Sequence, residues 1–317
     1  MDNSMRIEDW KPELSIEPTN ICSARCSFCS YGKGGDWRKP GLISDDVFRR
    51  FVELVGKTSQ QNVSLSTAHG DVLCHPNLFN MIEALNSKGK WVTFYTNASV
   101  LHRHELSRLL KCKIYQISVS TYLGNPDRYE QLFGVRDYGQ VFTNILKLVS
   151  APSRRFPVYM RMRCDKPFSK VKESDDFRLI QSFVGKKRIT WLDEWDDFNG
   201  LVKDYDLPEG NHTFKPAILN RDKVCYGMVR KFKILKDGEI VTCNCRLSKD
   251  FVIGHIEDVN NVEDIRALPA WHKLINDWEE GRLPEMCKKC SHYQPYTDLA
   301  NYSRWNIVKD KIRRWAK

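Results

Sequence analysis

Between residues 14 and about 199 the chain alternates short apolar stretches with longer amphipathic ones. Six of the short stretches read as strands, at 14–17, 63–67, 91–96, 114–121, 158–163 and 189–193. The intervening segments follow helical spacing. Val47, Phe48, Phe51, Leu54 and Val55 fall on one face of a helix that begins at Ser44, whose hydroxyl is suited to cap free backbone N–H groups. Phe79, Ile82 and Leu85 repeat the pattern before the third strand, and Gly89 ends it. Strand and helix in alternation specify a parallel α/β sheet. Six such units are too few for a closed eight-stranded barrel, so the expected fold class is α/β with an open barrel over residues 1–200.

The rhythm stops near Val202, and the polar stretch 201–222 reads as a linker or lid. Residues 223–300 form a smaller cysteine-rich unit. In it, 232–242 reads as a hairpin turning at Asp237 and Gly238, and Trp271, Leu274, Ile275 and Trp278 keep helical spacing as far as Gly281. Residues 301–317 read as a basic amphipathic helix, with Trp305, Val308, Ile312 and Trp315 in one stripe. Such a helix docks on the barrel or rests on an anionic membrane surface.

Composition narrows the picture. A chain of 317 residues with 41% hydrophobic content buries a large core. It shows neither a secretory leader nor an apolar run of membrane-spanning length, and the expected location is the cytoplasm. Eleven cysteines there point to metal ligation rather than disulfides. The net charge of +10 invites nucleic acid as a partner. However, half of it sits in the last fifteen residues, and the aromatic residues follow core periodicity rather than interleaving with basic ones. A basic, zinc-containing nucleic-acid-binding or RNA-modifying protein is kept as the alternative from another class.

The candidate chemistry lies in two cysteine groups. Cys22, Cys26 and Cys29 stand four and three apart in the loop after the first strand. Three thiolates so placed hold three corners of an iron–sulfur cube and leave the fourth iron open; a zinc knuckle or a buried thiol cluster is the alternative. A zinc site wants a fourth ligand, and the next Cys or His is His69. In the second group Cys225, Cys243, Cys287 and Cys290 supply four ligands, enough for a closed cube or a four-cysteine zinc ribbon. Cys245 is left over. It is either an alternative ligand, a thiol near the active site or a silent buried residue.

The C-x3-C-x2-C loop, with Phe28 before its last cysteine, resembles the cluster loop of the radical S-adenosylmethionine (radical SAM) family. The second group, with its G-x4-C hairpin and final C-x-x-C, resembles the auxiliary-cluster SPASM domain in its one-cluster "twitch" form. The resemblance implies a partial (β/α)6 TIM-like barrel, two 4Fe–4S clusters and SAM, with an external one-electron donor of flavodoxin or ferredoxin type. In such enzymes a 5'-deoxyadenosyl radical removes hydrogen from a substrate C–H. Phe28 matches the residue against the adenine. Gly70 and Asp71, in a loop where His69, Asp71 and Val72 depart from the family's Gly-Gly-Glu-Pro, match the segment near the SAM amine. Asn97 belongs to a Thr-Asn-Gly-like turn, and Ser120 ends the fourth strand near the cofactor. Arg161 and Arg163 share one face of the fifth strand. They suit a SAM carboxylate or an acidic substrate group, or ion pairs with Asp165 and Asp193.

Asp193 and Glu194 are candidates to take a proton at the barrel mouth. The expected reaction is two-electron oxidation of a polar small molecule such as a sugar or aminocyclitol. The alternatives are a radical epimerase with Cys245 as hydrogen donor, and peptide or protein modification. Against the last, the stretch before Leu14 is too short for a leader-peptide recognition domain.

Overall fold

A computed structural model describes residues 12–164, 167–210, 213–243 and 247–296. Cys245, Asp165 and the 301–317 segment lie outside the described residues. Six parallel strands follow the expected order: β1 (Glu13–Ile16), β2 (Asn62–Leu65), β3 (Trp91–Thr96), β4 (Ile114–Thr121), β5 (Val158–Arg163) and β6 (Ile189–Leu192). Period-two alternation sorts their side chains. Val63, Leu65, Val92, Phe94, Ile117, Val119, Met160 and Met162 are buried on the helix side. On the other side Ser15, Ser64, Tyr95, Arg161 and Leu192 line one cavity, so the sheet curls around a polar lumen.

The helix Asp45–Gly56 starts at Ser44, whose Oγ accepts from Val47 N, and it buries Phe51, Leu54 and Val55. Two short strands follow the barrel rhythm, β7 (Glu194–Trp195) and β8 (Thr213–Phe214), paired with each other. The cysteine-rich region then joins the main sheet, which the sequence pattern did not suggest. Strand β9 (Lys231–Ile234) runs parallel to β1, with Leu14 opposite Phe232 and Ile16 opposite Ile234. Strands β10 (Glu239–Thr242) and β11 (Val252–His255) extend it antiparallel. Among the described residues nine strands form one open sheet with β6 and β11 at its edges. The helix Pro269–Glu279 packs Trp271, Leu274, Ile275 and Trp278 beneath this region. No helix among the described residues is long and apolar enough to cross a membrane.

Candidate active site

The loop that leaves β1 carries Cys22, Cys26 and Cys29 and is braced from several sides. Arg25 N donates to Phe133 O at 3.0 Å and Ser27 N to Leu132 O at 3.0 Å. Phe28 packs edge-on against Phe133 with centroids 5.5 Å apart. Two backbone N–H groups point at sulfur: Ala24 N lies 3.5 Å from Cys22 Sγ and Tyr31 N 3.4 Å from Cys29 Sγ. Burial, followed by the charge of Asp71, pushes the Cys22 thiol up to about 12. Burial and then the neighbouring Cys29 and Cys22 raise Cys26, and burial raises Cys29. Three buried thiols within electrostatic reach of one another become thiolates when a cationic centre compensates them. That is the chemistry of a cluster ligand set, and N–H groups aimed at the sulfurs suit it too.

The loop after β2 closes over this one. Gly70 has φ +116°, and a Cβ there would lie 2.8 Å from Asn20 C and Ile21 O. Only glycine lets the two loops touch. Asp71 is buried, and its carboxylate is used internally. It accepts from Thr96 Oγ1 at 2.9 Å, Asn97 N at 2.6 Å and Leu73 N at 2.9 Å. Burial raises its pKa, opposed by these bonds. Asp71 therefore fixes the end of β3. Asn97 stands at the cysteines, with Nδ2 3.8 Å from Cys22 Sγ. Ala98 takes the left-handed conformation, φ 64°, at the position where the family has glycine.

A buried polar ladder supports the same loop, and sequence reasoning missed it. Glu17, at the end of β1, accepts from Arg38 through both oxygens and from Ala68 N at 2.9 Å. Arg38 also binds Asp36 at 2.8 Å and 2.9 Å. Asp36 Oδ2 lies 3.6 Å from His69 Nδ1, and His69 Nε2 lies 2.7 Å from Ser30 Oγ. Ser30 directly follows Cys29. The one signal in the sequence was the departure of His69 from the family's glycine.

Arg163 and Phe28 meet at the carboxyl end of β5. The guanidinium lies 5.0 Å from the Phe28 ring centroid and 6.0 Å from that of Trp195, and Trp195 packs on Phe28 at 4.9 Å. Burial lowers the Arg163 pKa, while Cys26 opposes it. Its Nε donates to Ser120 Oγ at 3.4 Å. Arg161, two residues earlier on the same face, stacks over Tyr95 at 5.0 Å. Among the described residues neither arginine forms an ion pair, so the expected pairing with Asp193 is not made. Asp193 is half-buried just past β6, and Glu194 is exposed at the edge of the lumen. Asp196, beside them, pairs with His292 at 2.9 Å.

Cys225, Cys243, Cys287 and Cys290 line one small cavity of about 40 Å³ with Trp278 and Tyr293. Burial and then the charges of Cys243, Cys225 and Cys290 raise the Cys287 pKa. His292 N lies 3.3 Å from Cys290 Sγ. Cys243 has φ 71°, which turns β10 into this cavity. A second cavity of about 30 Å³ lies between the two cysteine groups, with Ser30 and His69 at one side and Cys243 at the other. Among the described residues no three His, Cys, Asp or Glu side chains converge as tightly as a single ion requires.

Residues 16–162 match the family described as the Radical SAM superfamily. That span runs from β1 to β5 and contains the three-cysteine loop, and the match of these residues supports enzymatic radical SAM activity. Its fold is similar to that of BtrN, solved with AdoMet and 2-DOIA, at 13% identity and a TM-score of 0.56, covering 91% of this chain and 96% of that one. It is also similar to anSMEcpe, solved with AdoMet and a Cp18Cys peptide, at 15% identity and TM-score 0.57, covering 88% and 86%. Streptococcus suis SuiB bound to S-adenosylmethionine matches at 16% identity and TM-score 0.58, covering 93% and 75%. These likenesses show the mixed α/β architecture of SPASM/twitch-type radical SAM proteins. No curated protein matches the chain in sequence.

Proposed function

We propose that this radical SAM enzyme modifies a peptide or protein, with a SAM-binding 4Fe–4S cluster on Cys22, Cys26 and Cys29 and a second cluster on Cys225, Cys243, Cys287 and Cys290. The observation that carries the choice of substrate is the lumen. Its volume is about 1040 Å³. It runs the length of the sheet, from Gln60 and Asn62 at the amino ends of the strands to Phe28, Trp195 and His292 at the carboxyl ends. Pockets for compact ligands span roughly 300–1,000 Å³; this groove stands at the top of that range, and its open length suits an extended chain laid beside the cofactor. Peptide-bound neighbours support the same reading: anSMEcpe with a Cp18Cys peptide, and SuiB with its precursor peptide SuiA. Peptide modification is thus preferred over the small-molecule oxidation expected from the sequence. A polar small molecule remains the second reading, supported by the near-equal span of this chain and BtrN, solved with 2-DOIA.

When bound, the first cluster and SAM supply a radical that takes a hydrogen atom from a substrate C–H. The chain's own residues do the rest. Phe28 and Trp195 form an apolar wall that excludes water. Arg163, beside that wall and near Cys26 and Cys29, is placed to receive the SAM carboxylate with paired hydrogen bonds. Asn97 faces the first cysteine. Of the two carboxylates expected to accept a proton, Asp193 and Glu194, Glu194 lines the lumen and takes that role. An external flavodoxin- or ferredoxin-type donor supplies the electron.

The test is turnover with defined substrates. Anaerobic, reconstituted enzyme is given SAM, dithionite and either a pool of synthetic peptides or a panel of sugars and aminocyclitols. Deoxyadenosine formed in step with a mass change on peptides supports the proposal. Stimulation by the polyol panel alone, with a two-hydrogen loss on the polyol, contradicts it.

A further inference from the structure

Arg161 occupies the middle of the lumen rather than its cofactor end. On β5 it stands opposite Ser120 of β4 and Thr190 of β6, neither of which carries a charge. Its side chain reaches across β4 to lie over Tyr95 of β3, with the guanidinium carbon 5.0 Å from the ring centroid. Tyr95 is 41% exposed on the groove wall, so the stacked pair faces open space. The ring fixes one flat side of the guanidinium and leaves its N–H edge undirected.

Among the described residues none of the four carboxylates that line the lumen, Glu13, Glu194, Asp196 and Glu263, forms an ion pair with Arg161. Glu13 pairs with Arg230 at 2.6 Å, and Asp196 with His292 at 2.9 Å. Arg163 is held against Phe28, beside the three cysteines. The two guanidinium groups rest on different rings, Arg161 on Tyr95 and Arg163 on Phe28, so in this arrangement they serve separate places in the lumen. If Arg163 receives the cofactor's carboxylate, Arg161 is left to receive a second anion.

We infer that Arg161 and Tyr95 form a substrate subsite that binds a carboxylate, placing an acidic residue of the substrate below the cofactor and setting which C–H meets the radical. The acidic group is independent of the proposed function; only its presentation on a peptide rests on that reading. Of the two anions expected for Arg161, the SAM carboxylate and an acidic substrate group, this assigns the second.

Anaerobic calorimetry on the SAM-loaded holoenzyme tests this with two pairs of probes. The first pair is glutarate and glutaramide. The second is a Gly/Ser nonapeptide with one central Glu and its Gln counterpart, both acetylated and amidated. A site built for a charged partner discriminates strongly against the analogue that lacks it. Each acid is expected to bind at least about tenfold tighter than its amide, with the preference lost in Arg161→Gln, partly kept in Arg161→Lys and weakened in Tyr95→Leu. SAM affinity and iron content should stay as in the parent enzyme. An Arg161-dependent preference for glutarate without any binding of the nonapeptides upholds the subsite and removes the peptide reading. Equal binding of acids and amides, a preference that survives Arg161→Gln, or loss of SAM affinity in that variant overturns the inference. Should Arg161→Gln fail to fold, Arg161→Lys and Tyr95→Leu carry the same comparison.

Discussion

Ser30 Oγ lies 2.7 Å from His69 Nε2, both side chains are buried, and Ser30 is the residue after Cys29. This contact joins the cysteine loop to the charged ladder of Asp36, Arg38 and Glu17. Gly35 packs over it so closely that a Cβ there would come within 2.9 Å of Ser30 Cβ and 3.2 Å of His69 Cε1. His69 Nδ1 faces the Asp36 carboxylate at 3.6 Å; with the ring proton on that nitrogen, Nε2 is the acceptor for the serine hydroxyl.

His69→Ala is therefore expected to loosen Cys29 and make the first cluster labile, while His69→Gln, which keeps an acceptor, restores it in part. Iron per chain should fall from roughly eight towards roughly four in His69→Ala on mild chelation, the values for two cubes and one. Electron paramagnetic resonance should show which cluster is lost. A parent-like spectrum and iron content in His69→Ala would remove the brace from the account.

Asp71 gives a stability prediction. Its carboxylate accepts from one side chain and two backbone N–H groups and has no exposure to spare. Hydrogen bonds to a charged group contribute about 1.5–3 kcal/mol each, so Asp71→Ala should destabilise the fold by several times the effect of Thr96→Val. Urea unfolding of both variants checks the ratio. Equal effects would mean that the carboxylate does not anchor the end of β3.

Asp36 gives a pH prediction. Burial acts to raise its pKa, but the nearby His69 and the hydrogen bonds from Arg38 outweigh burial and hold the carboxyl well below the usual range. A carboxyl depressed in the folded state contributes stability that is present above its unfolded value, about 3.9, and is lost as pH falls through the folded value. Asp36→Asn should consequently lose stability relative to the parent at pH 6, with the difference shrinking below pH ~4. Denaturation series at several pH values measure this, and a difference that grows on acidification would contradict it.

The six barrel strands were legible because alternating or continuous apolar residues mark them, and all six match within one residue at their amino ends. The pairing of β9 with β1 was not legible. It joins residues more than two hundred positions apart, and neither strand's pattern specifies its neighbour. The cysteines announced themselves by spacing. The Glu17, Arg38 and Asp36 ladder did not, because charged loop residues look the same whether buried or solvated. The place of Trp195 against Phe28 followed only from the fold.

The second cysteine group yields a separable outcome. Its four sulfurs share a cavity apart from the first loop, so Cys287→Ser should remove about half the iron and leave the SAM-bound cluster's spectrum in place. Turnover of substrate should drop while SAM cleavage without substrate persists. Loss of both clusters together would show that the two sites do not assemble independently.

The most direct test of the account is reductive SAM cleavage by the anaerobic, iron-loaded enzyme. With dithionite, the parent should release 5'-deoxyadenosine, and Cys22→Ala, Cys26→Ala or Cys29→Ala should each abolish it. Absence of 5'-deoxyadenosine from the fully loaded parent, or undiminished release from any of the three variants, would contradict the claim that this loop is the seat of the chemistry.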